Sequence, residues 1–450
     1  MAKKQQTIEE KLQAALVPVE EQPYKVPENW CFARGSHIMR KMESQKPRGE
    51  NFSYIDIDSI DNSRQIVREP KNIPVSKAPS RASRKVNAGD TLFSLVRPYL
   101  MNIAYVTDDL SSCIASTGFY VCSPKKNVND KYLYWMMVSP YVVDGLNSKM
   151  KGDNSPSIRG GDIENFIFPV APLAEQSRIV ARIESLFAKL DEAKEKIQEV
   201  LDGADLRRAA ILHQAFTGKL TEKWRRENGV SDDSRETSNV KSICNSLKYG
   251  TAKKSVQDGD VAVLRMGNLQ NGEIDWGSLV YSNDQDDIEK YSLKDGDVLF
   301  NRTNSAELVG KTSIYRGERP AIYAGYLIKL DYKRDKIIGD FFNYMLNSPK
   351  AKEYCNKVKT DGVNQSNINA KKIGAFEFDV PTILEQQEIV RLLDNLLSRE
   401  QATVTACEEA LTTIDTLKKS ILARAFRGEL GTNDPSDPSA KELLREILSA

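Results

Sequence analysis

Two stretches of this sequence repeat one pattern: residues 168–186 read FPVAPLAEQSRIVARIESL, and residues 378–396 read FDVPTILEQQEIVRLLDNL. A shift of 210 residues places Glu175-Gln176 on Glu385-Gln386. The same shift aligns AILHQAFTGKL (residues 210–220) with SILARAFRGEL (residues 420–430). Earlier in each half, AGDTLFSLVR (88–97) matches DGDVLFNRTN (295–304) at a shift of 207. The chain is therefore an internal repeat, each copy a globular module followed by a long helical segment.

The segment between the repeated blocks has apolar side chains at alternating steps of four and three residues, which predicts a coiled-coil seam. The first seam is Ile179, Ile183, Leu186, Leu190, Ala193, Ile197, Val200 and Ala204. The second is Ile389, Leu393, Leu396, Glu400, Thr403, Cys407, Ala410, Ile414, Leu417 and Ile421. The polar pair in its middle predicts a place where the second seam loosens or bends. Each helix would be about 60 Å long, so we expect the two to pair with each other, although each might instead pack on its own module.

Sequence signals mark the ends of these helices. Pro172 precedes the first, and a Thr382-x-x-Glu385 capping box opens the second. Gly218 and Gly428 end them at equivalent positions. Short helices with Ser/Thr-x-x-Glu boxes are also predicted at the two termini, in TIEEKLQAAL and SAKELLREIL. We expect these terminal helices either to contact a partner subunit or to close a circular pseudo-symmetry.

The predicted architecture is α+β, with two globular domains separated by two long helices in an antiparallel coiled coil and related by a pseudo-two-fold repeat. Within the modules, segments such as DTLFSLVRP and DVLFNRT predict strands, while KYLYWMMVS and IIGDFFNYMLNS predict helices. The predicted divisions are an N-terminal helical segment, a first module, a first long helix, a linker, a second module, a second long helix and a C-terminal tail, at residues 1–26, 27–170, 171–217, 218–239, 240–380, 381–427 and 428–450.

Composition limits the classes of function. The formal net charge is +1, so any DNA-binding surface must be a local basic patch. Six scattered cysteines and two histidines form no zinc-ligand spacing, so no metal site is expected and the cysteines should be reduced thiols. The N-terminus lacks a signal-peptide core, and YLYWMMVSPYVV suits a core helix better than a membrane span, so a cytoplasmic location is expected.

Basic residues concentrate in residues 62–86, where seven cations accompany the single acid Glu69 among prolines and serines typical of an exposed loop. Such a run suits phosphate neutralisation, although charge runs are often simply solvated. In the second module, lysines precede an amide-rich segment that could contact base edges. The candidate DNA-binding residues are Arg64, Arg68, Lys71, Lys77, Arg81, Arg84, Lys85, Arg97, Arg159, Arg302, Asn304, Lys311, Lys357, Lys359, Asn364, Gln365 and Asn367.

Catalytic signatures are missing from the sequence. There is no GxxxxGK[ST] phosphate loop, no GxSxG nucleophile elbow and no amino-methyltransferase tetrapeptide, and His213 within a helix suits a structural role. The chain is therefore expected to recognise rather than catalyse. A non-catalytic coiled-coil scaffold for protein-binding modules and a free-standing DNA endonuclease are the alternatives.

The stretches GDTLFSLVRPYLMNIAYV, SIRGGDIENFIFPVAPLAEQSRIVARIESLFAKLDEA and ILHQAFTGKLTEKW, with GDVLFNRTNSAELVGKTSIY, INAKKIGAFEFDVPTILEQQEIV and ILARAFRGELGTNDP, resemble the specificity subunits of type I restriction-modification systems. The resemblance implies two target-recognition domains that each read half of a split double-stranded DNA site, with the paired helices setting the spacer. It also implies two partner modification subunits, which would bind S-adenosylmethionine and methylate adenine, and possibly restriction subunits. No cofactor is expected on this chain, and flipping of the adenine would fall to the partner.

Overall fold

The computed structural model describes residues 7–363 and 365–449. They divide into two compact units, one of residues 7–197 with 409–449 and one of residues 198–408. The helices are α1 Ile8–Ala15, α2 Gly35–Ile38, α3 Asp130–Val138, α4 Pro140–Asn147, α5 Gly160–Glu164, α6 Leu173–Asp202, α7 Ala204–Phe216, α8 Glu222–Glu227, α9 Val240–Ile243, α10 Gln285–Tyr291, α11 Gly339–Leu346, α12 Pro349–Val358, α13 Ala370–Gly374, α14 Ile383–Ala425 and α15 Ala440–Ser449.

The first unit is an α+β module built on short, mostly antiparallel strands. Its sheets have the orders β5-β2-β9-β6, β10-β7-β8, β1-β11 and β3-β4, and β2 and β9 are parallel. Their bounds are β1 Cys31–Arg34, β2 Asn51–Ile55, β3 Ile60–Asp61, β4 Ile66–Val67, β5 Lys71–Pro74, β6 Ala82–Lys85, β7 Thr91–Ser94, β8 Ile103–Tyr105, β9 Ile114–Ser116, β10 Phe119–Cys122 and β11 Ile167–Val170.

The second unit repeats this α+β plan. Its sheets have the orders β13-β22-β18-β20, β17-β14-β21, β19-β24-β23, β12-β25 and β15-β16, and β14 and β21 are parallel. Their bounds are β12 Glu236–Asn239, β13 Cys244–Tyr249, β14 Val261–Leu264, β15 Leu269–Gln270, β16 Glu273–Ile274, β17 Val280–Ser282, β18 Val298–Asn301, β19 Thr303–Asn304, β20 Thr312–Ile314, β21 Ala321–Tyr323, β22 Leu327–Tyr332, β23 Thr360–Asp361, β24 Ser366–Asn367 and β25 Glu377–Val380.

The long helices pair in antiparallel fashion, as predicted. In the first unit, Asp191 of α6 pairs with Lys418 of α14, and Lys194 of α6 pairs with Asp415 of α14. The later residue of α6 thus pairs with the earlier residue of α14, which is the order of antiparallel helices. In the second unit, Arg207 of α7 meets α14 again. The seam residues Ile179, Ile183, Ile389 and Leu393 are fully buried, and most later positions are half-buried, as expected of a narrow two-helix seam.

Three details of the helix predictions are wrong. The first helix is interrupted at Gly203, whereas the second runs unbroken through its polar middle. Thr403 is exposed and bonds back to the Arg399 carbonyl, and the half-buried Val404 faces the seam in its place. Leu417, also placed in the seam, is 45% exposed.

The helix ends follow the predicted signals, with one exception. Gly218 and Gly428 both adopt left-handed φ values, of 82° and 74°, which a side chain with Cβ would resist. The Thr382 hydroxyl accepts from the backbone N–H of Glu385 at 3.3 Å. The Glu385 carboxylate does not return to complete the capping box, because it binds residues that follow the first long helix.

The two termini of the described chain pack together in the first unit. Thr7 and Glu10 form the predicted capping box of α1. The apolar face of α15 packs on α1 and α2, with Leu444 fully buried. Helices α1 and α15, which are far apart in sequence, therefore belong to the same unit. Within the described residues, no helix combines the length and apolar character needed to cross a bilayer.

Candidate nucleic-acid interface

A hairpin precedes the last short helix of each module and pairs with the segment after the repeated Gly-Asp strand. In the first unit, residues 151–157 form this hairpin: Lys151 and Ser157 exchange two backbone hydrogen bonds of 3.0 Å, and Ser157 also bridges to Val96. We call residues 151–157 the first hairpin. The N–H of Ile158 donates to the carbonyl of Leu95 at 2.9 Å and anchors its base.

The second unit builds the same arrangement from residues 360–363 and 365–367, which we call the second hairpin. Its strands β23 and β24 pair with each other, and β24 also pairs with β19. The N–H of Ile368 donates to the carbonyl of Arg302 at 2.9 Å. Shifts of 207 and 210 residues carry Leu95 and Ile158 onto Arg302 and Ile368, so the bond that anchors the base of the hairpin occurs at equivalent positions in both modules.

The first hairpin is held by a strained segment. Arg97 and Met101 both adopt left-handed φ values, of 48° and 54°, although neither is glycine. The backbone N–H of Arg97 donates to the Pro156 carbonyl at 2.8 Å, and its guanidinium donates to the Asn154 carbonyl at 3.1 Å. Between them, Tyr99 is 47% exposed. Strained, exposed segments of this kind concentrate at functional sites, so we include it in the candidate surface.

The basic run at residues 62–86 is not the loop that the sequence predicted, because it contains β4, β5 and β6. Its positive charge is also partly neutralised: Arg68 pairs with Asp61, Lys71 with Asp56 and Lys85 with Glu43, at 3.0, 2.6 and 2.6 Å. Hydrogen bonds from Ser63 and then Arg68 hold the pKa of Asp61 well below its usual range, so this partner is ionised. Arg84 and Lys85 are half-buried on β6.

Arg64, Lys77 and Arg81 remain exposed and form no ion pair among the described residues. The turn that carries Arg64 lies beside the first hairpin's supporting segment, because the Asn62 amide donates to the Leu100 carbonyl at 2.9 Å. Arg159 is also exposed, at the start of α5 just beyond the hairpin. These cations are available to an anion in solution.

Two candidate DNA-binding residues of the second module, Arg302 and Asn367, also brace the hairpin. The Arg302 guanidinium lies 4.9 Å from the Tyr249 ring centre and donates to the Gly325 carbonyl and to the Asn367 side chain, both at 3.3 Å. Asn367 in turn donates to the Thr303 hydroxyl at 2.8 Å. The terminal guanidinium nitrogens of Arg302 and the side-chain amide of Asn367 are thus bonded within the protein, whereas Arg302 Nε has no hydrogen-bond partner among the described residues.

The remaining candidates of the second module are distributed around this brace. Lys359 donates to the Ala306 carbonyl at 2.8 Å, which ties the start of the hairpin to the loop after β19. Asn304, the last residue of β19, is half-buried. Lys357 and Gln365 are exposed, and Asn364 lies outside the described residues. Lys311 is held apart at Gln270, 3.1 Å away, where it lines a cavity of about 100 Å³ with Arg208 and Lys352.

The sequence analysis did not identify the first hairpin. Lys149, Lys151 and Asn154 belong to this surface, and all three are exposed. A signal was present: KMK at residues 149–151 matches KVK at residues 357–359 at a shift of 208, before equivalent isoleucines. A two-residue difference in loop length disturbs the alignment there.

The repeated Glu-Gln pair fixes each module to its long helix. Gln176 accepts from the N–H of Asn129 at 2.9 Å, and Gln386 accepts from the N–H of Ile338 at 2.8 Å, at the N-termini of equivalent helices. Both Gln side chains then donate to a carbonyl at the entry of their own helix. A buried amide with every bond satisfied specifies one orientation, so both platforms are presented in the same way on their helices.

The buried glutamates bind the chain that follows the opposite helix of the repeat. Glu385 accepts from Thr221 at 2.7 Å, from Arg225 at 2.9 Å and from Arg235. Burial raises its pKa, but the hydrogen bonds from Arg235, Thr221 and Arg225 outweigh burial and lower it overall. In the first unit, Glu175 accepts from the Trp30 indole at 2.7 Å and from Asn433 at 2.8 Å.

The described residues show little that resembles a reaction centre. Within them, no three His, Cys, Asp or Glu side chains group as a metal site requires. The six cysteines are free, and burial raises the pKa of the Cys31, Cys244 and Cys355 thiols to about 12, which leaves them unreactive near neutral pH.

Comparison with known proteins agrees with this geometry. The family model for the type I restriction modification DNA specificity domain matches residues 38–202 and 233–410. The chain belongs to this family, and the resemblance identified in the sequence is confirmed. It is similar to the EcoKI specificity subunit of Escherichia coli strain K12, with 26% identity over 427 residues and 90% of each chain covered. It is also 25% identical over 425 residues to the StySPI specificity subunit of Salmonella potsdam, again with 90% of each covered.

Solved structures support the same fold. The HsdS subunit from Thermoanaerobacter tengcongensis matches with a TM-score of 0.67 at 25% identity, covering 92% of this chain and all of that one. A chain from a study of complex assembly and conformational transition in a type I R-M system gives a TM-score of 0.74 at 24% identity, covering 91% of this chain and all of that one. The predicted fold class, α+β modules with paired long helices, is thereby confirmed.

Proposed function

We propose that each module reads one half of a bipartite double-stranded DNA sequence, with the two hairpins as the reading elements. The observation that carries the proposal is the duplicated platform. The same backbone bond and the same strand bridge anchor the hairpin in both modules, while the residues at the two hairpin tips differ. A shared hairpin support with different tip residues suits two modules that recognise different DNA sequences, since side chains identify bases at the edges exposed in the grooves.

The exposed cations supply the sequence-independent part of binding. Arg64 and Arg159 are exposed near the first hairpin and Lys357 near the second, and Lys77 and Arg81 are exposed elsewhere on the first module; all five would neutralise phosphates. Phosphate contacts position a protein on the duplex and make its affinity depend on salt. Ion-paired cations such as Arg68 would contribute less, because a neighbouring carboxylate competes with the phosphate.

The chain would act through partners and perform no chemistry itself. Two modification subunits would bind it, hold S-adenosylmethionine, extrude an adenine in each half-site and methylate it; restriction subunits would join them to cleave unmodified DNA. The paired helices would set the spacer between the half-sites. Membership of the specificity family favours this assignment over a protein scaffold or a free-standing endonuclease.

A selection experiment tests the proposal. The full chain, reconstituted with its modification subunits, is incubated with a randomised duplex library, and bound duplexes are sequenced at several salt concentrations. We expect one split motif, with binding that weakens as salt rises. Replacing the tip residues of the second hairpin with those of the first should alter one half of the motif only.

Lys196→Ala serves as the control, because Lys196 is an exposed residue of α6 that pairs only locally with Glu192. It should leave the motif unchanged. The absence of any DNA binding with the modification subunits present would refute the proposal.

A further inference from the structure

The second hairpin ends in an apolar side chain that is entirely exposed. Val363 at its tip has 100% of its surface accessible, the highest value among the large hydrophobic residues described. Its described neighbours along the hairpin are polar or glycine, including Asp361, Gly362 and Gln365. Since Val363 is fully accessible, its side chain adds almost nothing to the burial that stabilises folding.

The hairpin beneath Val363 is braced. The Gly362 N–H donates to the Gln365 carbonyl at 2.8 Å, and the Ser366 hydroxyl donates to the Asp361 carboxylate. At the base, Ile368 is fully buried. The tip is therefore displayed on an ordered two-stranded ribbon that is anchored in the module's core.

The first hairpin displays different chemistry on the same platform. Its tip is GDNSP, residues 152–156, in which Asp153, Asn154 and Ser155 are exposed and polar. The second tip carries a branched apolar side chain instead. The two modules therefore present different groups at the corresponding point of the repeat.

We propose that Val363 enters the major groove and contacts the C5 methyl group of a thymine in the half-site read by the second module. The inference rests on the proposed function. A major groove about 12 Å wide admits a two-stranded ribbon, and the thymine methyl is the apolar group that it displays. Lys357, in the last turn of α12 just before the hairpin, would contact the flanking phosphates, while Gln365 has an amide suited to a base edge.

Uracil substitution tests this contact, because uracil pairs as thymine does but lacks the methyl group. The assay uses the complex of the full chain with its modification subunits and a duplex that carries the selected split motif. Each thymine is replaced by uracil in turn, for the wild type and for Val363→Ala. Because Val363 is fully exposed, its replacement leaves the packing intact.

We expect one substitution in one half-site to weaken wild-type binding about threefold to fivefold, the size of effect that burial of a single methyl group predicts. Val363→Ala should bind the thymine duplex more weakly by a similar factor and should be insensitive to uracil at that position. Val256→Ala, the same change at an exposed valine outside the hairpin, should behave as the wild type.

Two results would overturn the inference while leaving the proposed function intact. One is a split motif whose binding is unaffected by uracil at every position. The other is a uracil-sensitive position that stays equally sensitive in Val363→Ala. Failure to select any motif would instead refute the proposed function, and this inference with it.

Discussion

The guanidinium of Arg207 on α7 donates three hydrogen bonds to the carboxylate of Glu400 on α14, at 2.7, 3.0 and 3.2 Å. The same guanidinium donates to the Val200 carbonyl at 2.7 Å, in the last turn of α6. A side chain on Gly203 would meet it, since a Cβ there would lie 2.6 Å from Nη1. The helix break at Gly203 and the polar residue Glu400 in the opposite seam are therefore linked. Gly203 leaves space for the guanidinium of Arg207, which forms hydrogen bonds with Glu400.

Arg207→Ala should destabilise the second unit, because it leaves the mostly buried carboxylate of Glu400 without its partner, although solvent screens part of the pair. Urea denaturation of the two proteins measures the difference. Replacing both residues with leucine should recover most of the loss, since an apolar seam needs no counter-charge. Lys196→Ala, which removes an exposed pair within one helix, is the control and should change stability by less than about 0.5 kcal/mol. An equal loss in the control would contradict the role assigned to Arg207.

Glu385→Gln should cost roughly 2–4 kcal/mol at neutral pH, because it leaves Arg225 and Arg235 without the buried carboxylate they share. The pKa of Glu385 is lowered in the folded chain, so its contribution is complete above the usual value of 4.5 and is lost as pH falls through the folded value. The stability difference between wild type and variant should therefore shrink on acidification below about pH 4.5. Thermal unfolding from pH 3 to 7 measures it, with the exposed Glu227→Gln as control. A difference that is constant across this range would argue against the ion pair as its source.

Arg64→Ala should weaken binding of the assembled complex to specific and random duplexes alike, and should lower the slope of log K against log salt by about 0.9, the value for one lost phosphate contact. Arg68→Ala is a matched control just after the same β3–β4 hairpin, because its guanidinium is already paired with Asp61. Titrations at several salt concentrations compare the two. If both variants lowered the slope equally, the distinction between free and paired cations would be wrong.

Lengthening the helix pair should lengthen the spacer of the DNA motif without changing either half-site. Four residues inserted into α6 after Ile197 and four into α14 after Glu408 keep the pairs Asp191–Lys418 and Arg207–Glu400 in register. One added turn is about 6 Å, or roughly two base pairs. Methylome sequencing of cells that express the system reads the motif directly. An insertion in α14 alone should not give a longer spacer, because Asp191–Lys418 and Arg207–Glu400 could then no longer both form. A changed half-site in the double insertion would contradict independent reading by the modules.

The sequence alone determined the duplicated plan, the paired helices and their ends. These features depend on residues that are close in sequence. They are predicted by a seven-residue apolar period, by capping residues and by the glycines Gly218 and Gly428. The family resemblance could also be identified from the sequence, because the Glu-Gln block that fixes each module to its helix occurs in both halves.

Only the tertiary structure decided which candidate residues are available to DNA. The sequence does not distinguish Arg302 from Arg64. In the structure, Arg302 contacts Asn367 and Tyr249, whereas Arg64 is exposed. Residues distant along the chain therefore determine whether a charged side chain has a partner. The first hairpin was not identified for the same reason, since a two-residue difference between the Lys-x-Lys segment and the following isoleucine obscures an anchoring bond that occurs in both modules. Periodicity reports which face of an element is buried, whereas the availability of a polar group depends on what the fold brings against it.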